Sequence, residues 1–184
     1  MSKVIIFPTD TVYGIGTPIF DIDGINKIYE IKKRPKEKPL ACLCSNLDQI
    51  ESIAYVPKKA KLLIDKFLPG ALTIILNSKE NVINKIGYKT IGVRIPNSKI
   101  ALDILNEFGP MLTTSVNESG NVPENEYDDI VKDFGPFVDY VYKTDNKSSS
   151  IPSTVIMFIN DDFKLIREGE IKEKDLRQAL KTIN

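Results

Sequence analysis

Three cationic side chains sit where a merely solvated charge has little reason to be. Lys32 follows Ile28 by four residues and Tyr29 by three, on a helix pattern whose inward positions are Ile25, Ile28 and Tyr29. Residues so spaced share one helix face, so Lys32 lies on the buried side of the last turn. An ammonium there must reach a carboxylate or a bound anion. Arg34 precedes Pro35, which turns it out of helical conformation into an extended one. Residues 32–38 carry five positive charges and one negative, a run that also fits a solvated basic face at a helix C-terminus. In Thr90-Ile91-Gly92-Val93-Arg94-Ile95 the apolar residues alternate, leaving Thr90, Gly92 and Arg94 on the other face. Arg94 beside a glycine has room for bidentate contact with a carboxylate or phosphate; it equally fits a surface arginine on an edge strand.

Hydroxyl and amide groups accompany these cations. Pro8-Thr9-Asp10-Thr11-Val12-Tyr13-Gly14-Ile15-Gly16 follows a short apolar run. If it stays extended, Thr9, Thr11 and Tyr13 project to one side, a polar edge next to two glycines where a ligand can approach the backbone. A strand-to-turn connection with satisfied threonines reads as well. In Met111-Leu112-Thr113-Thr114-Ser115-Val116-Asn117 the same alternation places Thr113, Ser115 and Asn117 on one face, a polar row that backbone or ligand must satisfy. Ser153 and Thr154 open another strand, and Arg167-Glu168-Gly169 close the next. Each element is weak alone. Together they suit a polyanionic substrate held by positive charge and oriented dipoles.

Composition removes competing chemistries. The chain has 184 residues and no histidine, which excludes Ser-His-Asp and Cys-His catalysis and zinc-histidine sites. Lysine plus arginine number 25, as do aspartate plus glutamate, and this neutrality argues against a nucleic-acid coat protein. No G-x-x-x-x-G-K-[ST] occurs, and Gly14-x-Gly16 lacks the third glycine of the dinucleotide fingerprint. Cys42 and Cys44 form C-x-C inside an apolar run and read as reduced core residues of a cytosolic protein. No segment approaches the roughly 20 apolar residues of a membrane span, so a soluble, cytoplasmic protein is expected.

The elements that must position these groups follow from periodicity and stop signals. Strands are predicted over 3–7, 40–44, 71–76, 90–95, 111–116, 138–142, 154–159 and 163–167, and helices over 23–33, 57–67, 98–108, 127–134 and 172–181. Asp23 is the expected N-cap of the first helix and Pro57 the N1 residue of the second, while Pro69-Gly70 and Gly109-Pro110 act as stops. The fold class is α/β, a single domain over 1–184 with a twisted mixed β-sheet and flanking helices. Residues 121–139 are expected as an acidic surface excursion, and 145–151 as a mobile loop leading into the strand that begins at Thr154.

The motifs taken in order resemble the YrdC-like family of threonylcarbamoyl-adenylate synthases. They are Pro8-Thr9-Asp10-Thr11-Val12-Tyr13-Gly14, Lys32-x-Arg34-Pro35 with Lys38-Pro39-Leu40, and Leu68-Pro69-Gly70-Ala71-Leu72-Thr73. Gly92-Val93-Arg94-Ile95-Pro96, Thr114-Ser115-Val116-Asn117-x-Ser119-Gly120, Pro152-Ser153-Thr154-Val155 and Arg167-Glu168-Gly169 continue the series. The resemblance covers nearly the whole chain and implies a fold with a large concave basic cavity. It implies an enzyme, a nucleotidyltransferase, that converts ATP, L-threonine and bicarbonate or CO2 into threonylcarbamoyl-adenylate and pyrophosphate, with Mg2+ assisting. Downstream tRNA threonylcarbamoyl-transferase proteins would consume the product.

Carried over position by position, the resemblance implies that Lys32, Arg34, Ser115 and Asn117 bind the nucleotide phosphates. Arg94 and Thr11 match threonine-contacting positions, and Lys38, Thr90, Ser153 and Arg167 match further nucleotide or threonine contacts. Tyr13 lies in the first motif beside them, and Thr113 in the polar row of Ser115. Two departures bear on the site: Pro123 replaces a serine often found there, and Leu43 replaces a histidine present in some members. By this resemblance the chain is expected to correspond to the family's short form. Two alternatives stay open: an RNA-binding or regulatory protein of the YciO-like branch, using Lys32–Lys38 and Lys58, Lys59, Lys61 and Lys66 on phosphates, and a carbamoyl-adenylate-forming domain of hydrogenase maturation.

Overall fold

The computed structural model describes residues 2–144 and 149–181. In chain order these form β1 (Ile5–Phe7), β2 (Gly14–Pro18), α1 (Ile22–Ile31), β3 (Ala41–Leu43), α2 (Leu47–Ile53), α3 (Lys58–Phe67), β4 (Leu72–Asn77) and α4 (Glu80–Ile86). There follow β5 (Thr90–Arg94), α5 (Lys99–Phe108), β6 (Met111–Ser115), α6 (Tyr127–Asp133), a 3-10 turn (Gly135–Phe137), β7 (Tyr140–Val141), β8 (Thr154–Ile159), β9 (Asp162–Arg167) and α7 (Glu173–Lys181). All strands join one sheet in the order β7-β1-β2-β6-β3-β5-β4-β8-β9. β1 with β7, β3 with β5 and β4 with β8 pair in parallel and the other neighbours antiparallel, so the sheet is mixed. The α/β expectation holds.

One strand escaped the sequence reading. β2 packs two glycines and a proline into five residues, a composition that signals a turn. In the sheet these glycines are what the neighbour requires. A Cβ on Gly14 would stand 2.7 Å from Thr113 Cγ2, and one on Gly16 2.7 Å from Thr113 Oγ1. β2 therefore fits between β1 and β6 only because it lacks side chains there. Helices α2 and α4, seven residues each, are too short to give a strong periodic signal. The expected N-cap also moves: Asp21, not Asp23, accepts from Gly24 N at 2.9 Å, because α1 begins one residue before Asp23. Pro57 is likewise the N-cap of α3 rather than its first helical residue.

Side-chain alternation divides the core into two parts. One, under α1, α2, α3, α4, α6 and α7, takes Ile6, Ile15, Cys42, Ile74, Val93 and Leu112. The other, under α5 alone, takes Ile5, Phe7, Leu43 and Met111. Since successive strand residues point to opposite faces, one face of the sheet is covered by six helices and the other by one. The second face stays partly open where it runs past α5. Cys42 and Cys44 are fully buried and unpaired as a disulfide, and burial with the neighbouring Cys44 thiol pushes Cys42 far up. Among the described residues no helix is long and apolar enough to cross a membrane.

Candidate functional site

The open part of that second face is a cavity of about 480 Å³, within the size range of small-molecule sites. Its floor follows strand alternation. Thr113 and Ser115 come from β6, Ala41 and Leu43 from β3, Thr90, Gly92 and Arg94 from β5, Thr73 and Ile75 from β4, and Val155 and Met157 from β8. Residues 9–14 and Arg34, Pro39 and Leu40 form one side, with Pro123, Pro152, Ser153 and Arg167 at the rim. Among the described residues, three guanidinium groups and no carboxylate line it. Glycine at position 92 keeps the floor low, since a Cβ there would meet Thr73 Cγ2 at 3.2 Å.

β5 lies inside the sheet, between β3 and β4, so Arg94 is not the edge arginine that the sequence left open. Arg94 is 6% exposed, and each nitrogen of its guanidinium donates a hydrogen bond. Nε donates to Gly70 O at 2.9 Å, Nη1 to Thr11 Oγ1 at 2.8 Å and Nη2 to Asp10 Oδ1 at 2.7 Å. Burial pulls its pKa down, and the Asp10 carboxylate opposes this. Asp10 also accepts from Asn97 N at 3.1 Å, ahead of α5. Arg167 is held at the rim by Ser153 O, at 2.8 Å from Nη2. Burial lowers its pKa, and Arg94 lowers it further. The two cations act on the same volume.

The segment after β1 does not run extended. Residues 8–13 bend outside any strand, so simple alternation of Thr9, Thr11 and Tyr13 does not apply. Thr9 Oγ1 lies 3.2 Å from Thr11 Oγ1 and donates to Val12 O at 2.6 Å. A hydroxyl that satisfies its own backbone makes the bend. All three residues nevertheless reach the cavity, together with Val12. Described residues of the 145–151 segment touch this bend, with Ser149 N donating to Asp10 O at 3.1 Å and Ser150 N to Thr11 O at 3.0 Å. The expectation that 145–151 is a mobile loop falls mainly on 145–148, outside the described residues.

Lys32 is buried as expected, 1% exposed, but its partners differ from those expected. Nζ donates to Ser115 O at 2.6 Å, Asn117 O at 2.8 Å and Asn117 Oδ1 at 3.0 Å. Two carbonyls and an amide oxygen, rather than a carboxylate or anion, solvate the ammonium. Burial, with Arg34 adding, brings its pKa from 10.5 to about 8. Asn117 Oδ1 also accepts from Ser115 Oγ at 2.6 Å, and Asn117 Nδ2 donates to Glu118 O and Asn121 O. Lys32 and Asn117 thus stand behind Ser115, bracing the wall that Ser115 presents. Asn117 lines a separate hollow with Lys33 and Glu118.

Of the residues singled out from sequence, Thr11, Tyr13, Arg34, Thr90, Arg94, Thr113, Ser115, Ser153 and Arg167 meet at the cavity, and Lys32, Asn117 and Lys38 do not line it. Lys38 turns its side chain outward and contributes its carbonyl, which accepts from Arg34 Nε at 2.9 Å. Thr73 was not singled out; its Oγ1 lies 2.8 Å from Ser153 Oγ, and alternation along 71–76 was the signal for it. Ile75, Val155 and Met157 form an apolar stretch of floor that composition could not assign to one place. Pro123 and Leu43 both line the cavity. The arrangement can bind an extended anion along the arginines while an apolar body rests on the floor.

Comparison with known proteins bears on what this cavity serves. A family model for Sua5, YciO and YrdC, described as telomere recombination, matches residues 1–169. The putative threonylcarbamoyl-AMP synthase of Methanocaldococcus jannaschii is 40% identical over 178 residues, 97% of this chain and 85% of the relative. The crystal structure of Pyrococcus abyssi Sua5 complexed with L-threonine superposes with a TM-score of 0.88 at 30% identity. That superposition covers 96% of this chain and 53% of the Pyrococcus one, so the chain spans about half that protein's length. Escherichia coli YciO gives a TM-score of 0.84 at 29% identity, covering 95% and 87%.

Proposed function

Because the chain belongs to the Sua5/YciO/YrdC family, we propose that it is a threonylcarbamoyl-AMP synthase, acting on ATP, L-threonine and bicarbonate or CO2. The observation that carries the reading is a cavity lined by three arginines, six threonines and two serines, with no carboxylate among the described residues that line it. Threonine's amine adds to CO2, loses a proton to solvent and becomes a carbamate. A carbamate oxygen then attacks the α-phosphorus of ATP, and pyrophosphate leaves. Two anions must approach each other in this step. Positive charge and fixed dipoles that hold them in line supply the acceleration.

Arg34, Arg94 and Arg167 are the cations that face the reactants, and Ser115, Thr113 and Ser153 the neutral hydroxyl groups beside them. Lys32 and Asn117 act through Ser115, whose carbonyl and hydroxyl they hold. The site contains no histidine, and none is needed if the free amine meets CO2. Among the described residues no cluster of carboxylates and thiols is placed to hold a metal; Mg2+ belongs in this reading to the nucleotide, on its phosphates. The enzyme would act in the cytoplasm, supplying the proteins that transfer the threonylcarbamoyl group to tRNA.

The RNA-binding alternative draws little from the surface. On α3, Lys59 pairs with Asp161 at 3.1 Å and Lys61 with Glu51 at 3.6 Å. The test is mass-spectrometric detection of threonylcarbamoyl-adenylate from purified protein, ATP, threonine and bicarbonate. Product formation abolished by Arg34→Ala is the expected result. A wild-type protein that makes no product, while binding RNA with steep salt dependence, would reject the synthase reading.

A further inference from the structure

Arg34 hangs from a loop, and a loop arginine aims at a ligand only if something fixes the loop. Its guanidinium is set by two backbone carbonyls: Nε donates to Lys38 O at 2.9 Å and Nη2 to Pro39 O at 3.0 Å. Those carbonyls are fixed in turn by a pair of phenols. Tyr29 OH on α1 donates to Lys38 O at 3.0 Å and lies 2.9 Å from Tyr88 OH. Tyr88 OH accepts from Leu40 N at 3.2 Å. The hydrogen bonds then run in one direction, from Leu40 N–H to Tyr88, from Tyr88 to Tyr29, and from Tyr29 to Lys38 C=O. Each hydroxyl both donates and accepts. The chain closes through the backbone of residues 38–40 and leaves neither phenol unsatisfied.

We propose that the Tyr29–Tyr88 hydroxyl pair is a positioning device that aims Arg34 into the cavity, joining α1 and the segment before β5 to the loop that carries the arginine. Three features favour positioning over simple packing. Tyr29 OH contacts the Lys38 carbonyl that itself holds Arg34, Tyr88 OH contacts the N–H of the peptide whose Pro39 carbonyl holds it, and Tyr88 is two residues from Thr90, which lines the same cavity. Burial and the Tyr88 hydroxyl both push the Tyr29 phenol well above its usual range, so the Tyr29 hydroxyl stays protonated and able to donate to Lys38 O. A phenylalanine at either position keeps the ring and removes only the hydrogen bond.

As a matter of ATP binding, the inference rests on the synthase reading; as geometry it stands alone, and the test separates the two. Tyr88→Phe and Tyr29→Phe are made in the full chain and in an Arg34→Ala background. The wild type is expected to bind ATP, measured by calorimetry, and each Phe variant to bind it about five- to tenfold more weakly, the size of one lost hydrogen bond. In the Arg34→Ala background the same substitutions should change ATP binding no further. The Arg34 Nε–H resonance should be protected from exchange in the wild type and exposed in both variants. Equal weakening with and without Arg34, or an Nε–H signal unchanged in the variants, would overturn the positioning role. Exposure of that signal in a protein whose wild type binds no ATP would uphold the device and reject the nucleotide.

Discussion

Arg94 and Asp10 form an ion pair whose side chains are 7% and 18% exposed. At such burial an ion pair adds little over an apolar pair, but removing one partner strands the other. Asp10→Ala is therefore expected to cost about 3–5 kcal/mol in chemical denaturation. Asp10→Asn, which keeps an acceptor for Arg94 and Asn97, should cost clearly less, and equal losses would mean that the charge, not the acceptor oxygen, is what Arg94 needs. Lys32 carries a pH signature. It gives up its proton near 8 in the folded chain and near 10.5 when unfolded. Below pH 8 both states are protonated and its contribution is flat. Between those values the unfolded chain binds more protons, so stability rises with pH. Urea denaturation across this range should show that rise in the wild type and lose it in Lys32→Met. The Met variant should also be about 2–4 kcal/mol less stable near neutrality, with two carbonyls left unpaired.

Among the elements, the close approaches of backbone matter most. A Cβ on Gly169 would meet Pro152 O, with Ser153 C and Thr154 N both at 2.8 Å. These are backbone atoms beside Ser153, whose carbonyl holds Arg167. Gly169→Ala is expected to destabilise by about 3 kcal/mol and to weaken anion binding, since the strand must shift before the methyl fits. Gly16→Ala should cost about 1–3 kcal/mol, because Thr113 Oγ1 at 2.7 Å can rotate but Leu112 O at 3.3 Å cannot. Thermal denaturation of both variants ranks them, and a larger loss for Gly16→Ala would contradict this account. The long alternating runs were readable because burial on one face enforces period two. β2 was not, because its glycines are explained only by Thr113 on β6, about a hundred residues away in sequence.

For the whole molecule, the open half of one sheet face is a stability statement as well as a binding one. A sheet with six helices on one side and α5 on the other leaves surface that a ligand can cover. A ligand that binds only the folded chain stabilises it by about 2.7 kcal/mol at a hundredfold excess over Kd. ATP with threonine and bicarbonate is expected to raise the melting temperature by several degrees, and Arg94→Lys should reduce that rise because the forked contact is lost. An unchanged melting temperature with all three substrates would count against the cavity as their site.

The residues by themselves determined the α/β class, the alternating strands and the company of cations and hydroxyls. These are local consequences of periodicity and side-chain chemistry. They also placed Lys32 on the buried face, from its spacing to Ile28 and Tyr29 alone. Only the tertiary structure decided what Lys32 touches, that Asp10 completes Arg94, and that two tyrosines 59 residues apart join over the loop of Arg34. Each of those partners comes from a distant strand or loop. A hydrogen bond is short-ranged and directional, so a partner remote in sequence leaves no periodic trace near the residue it completes.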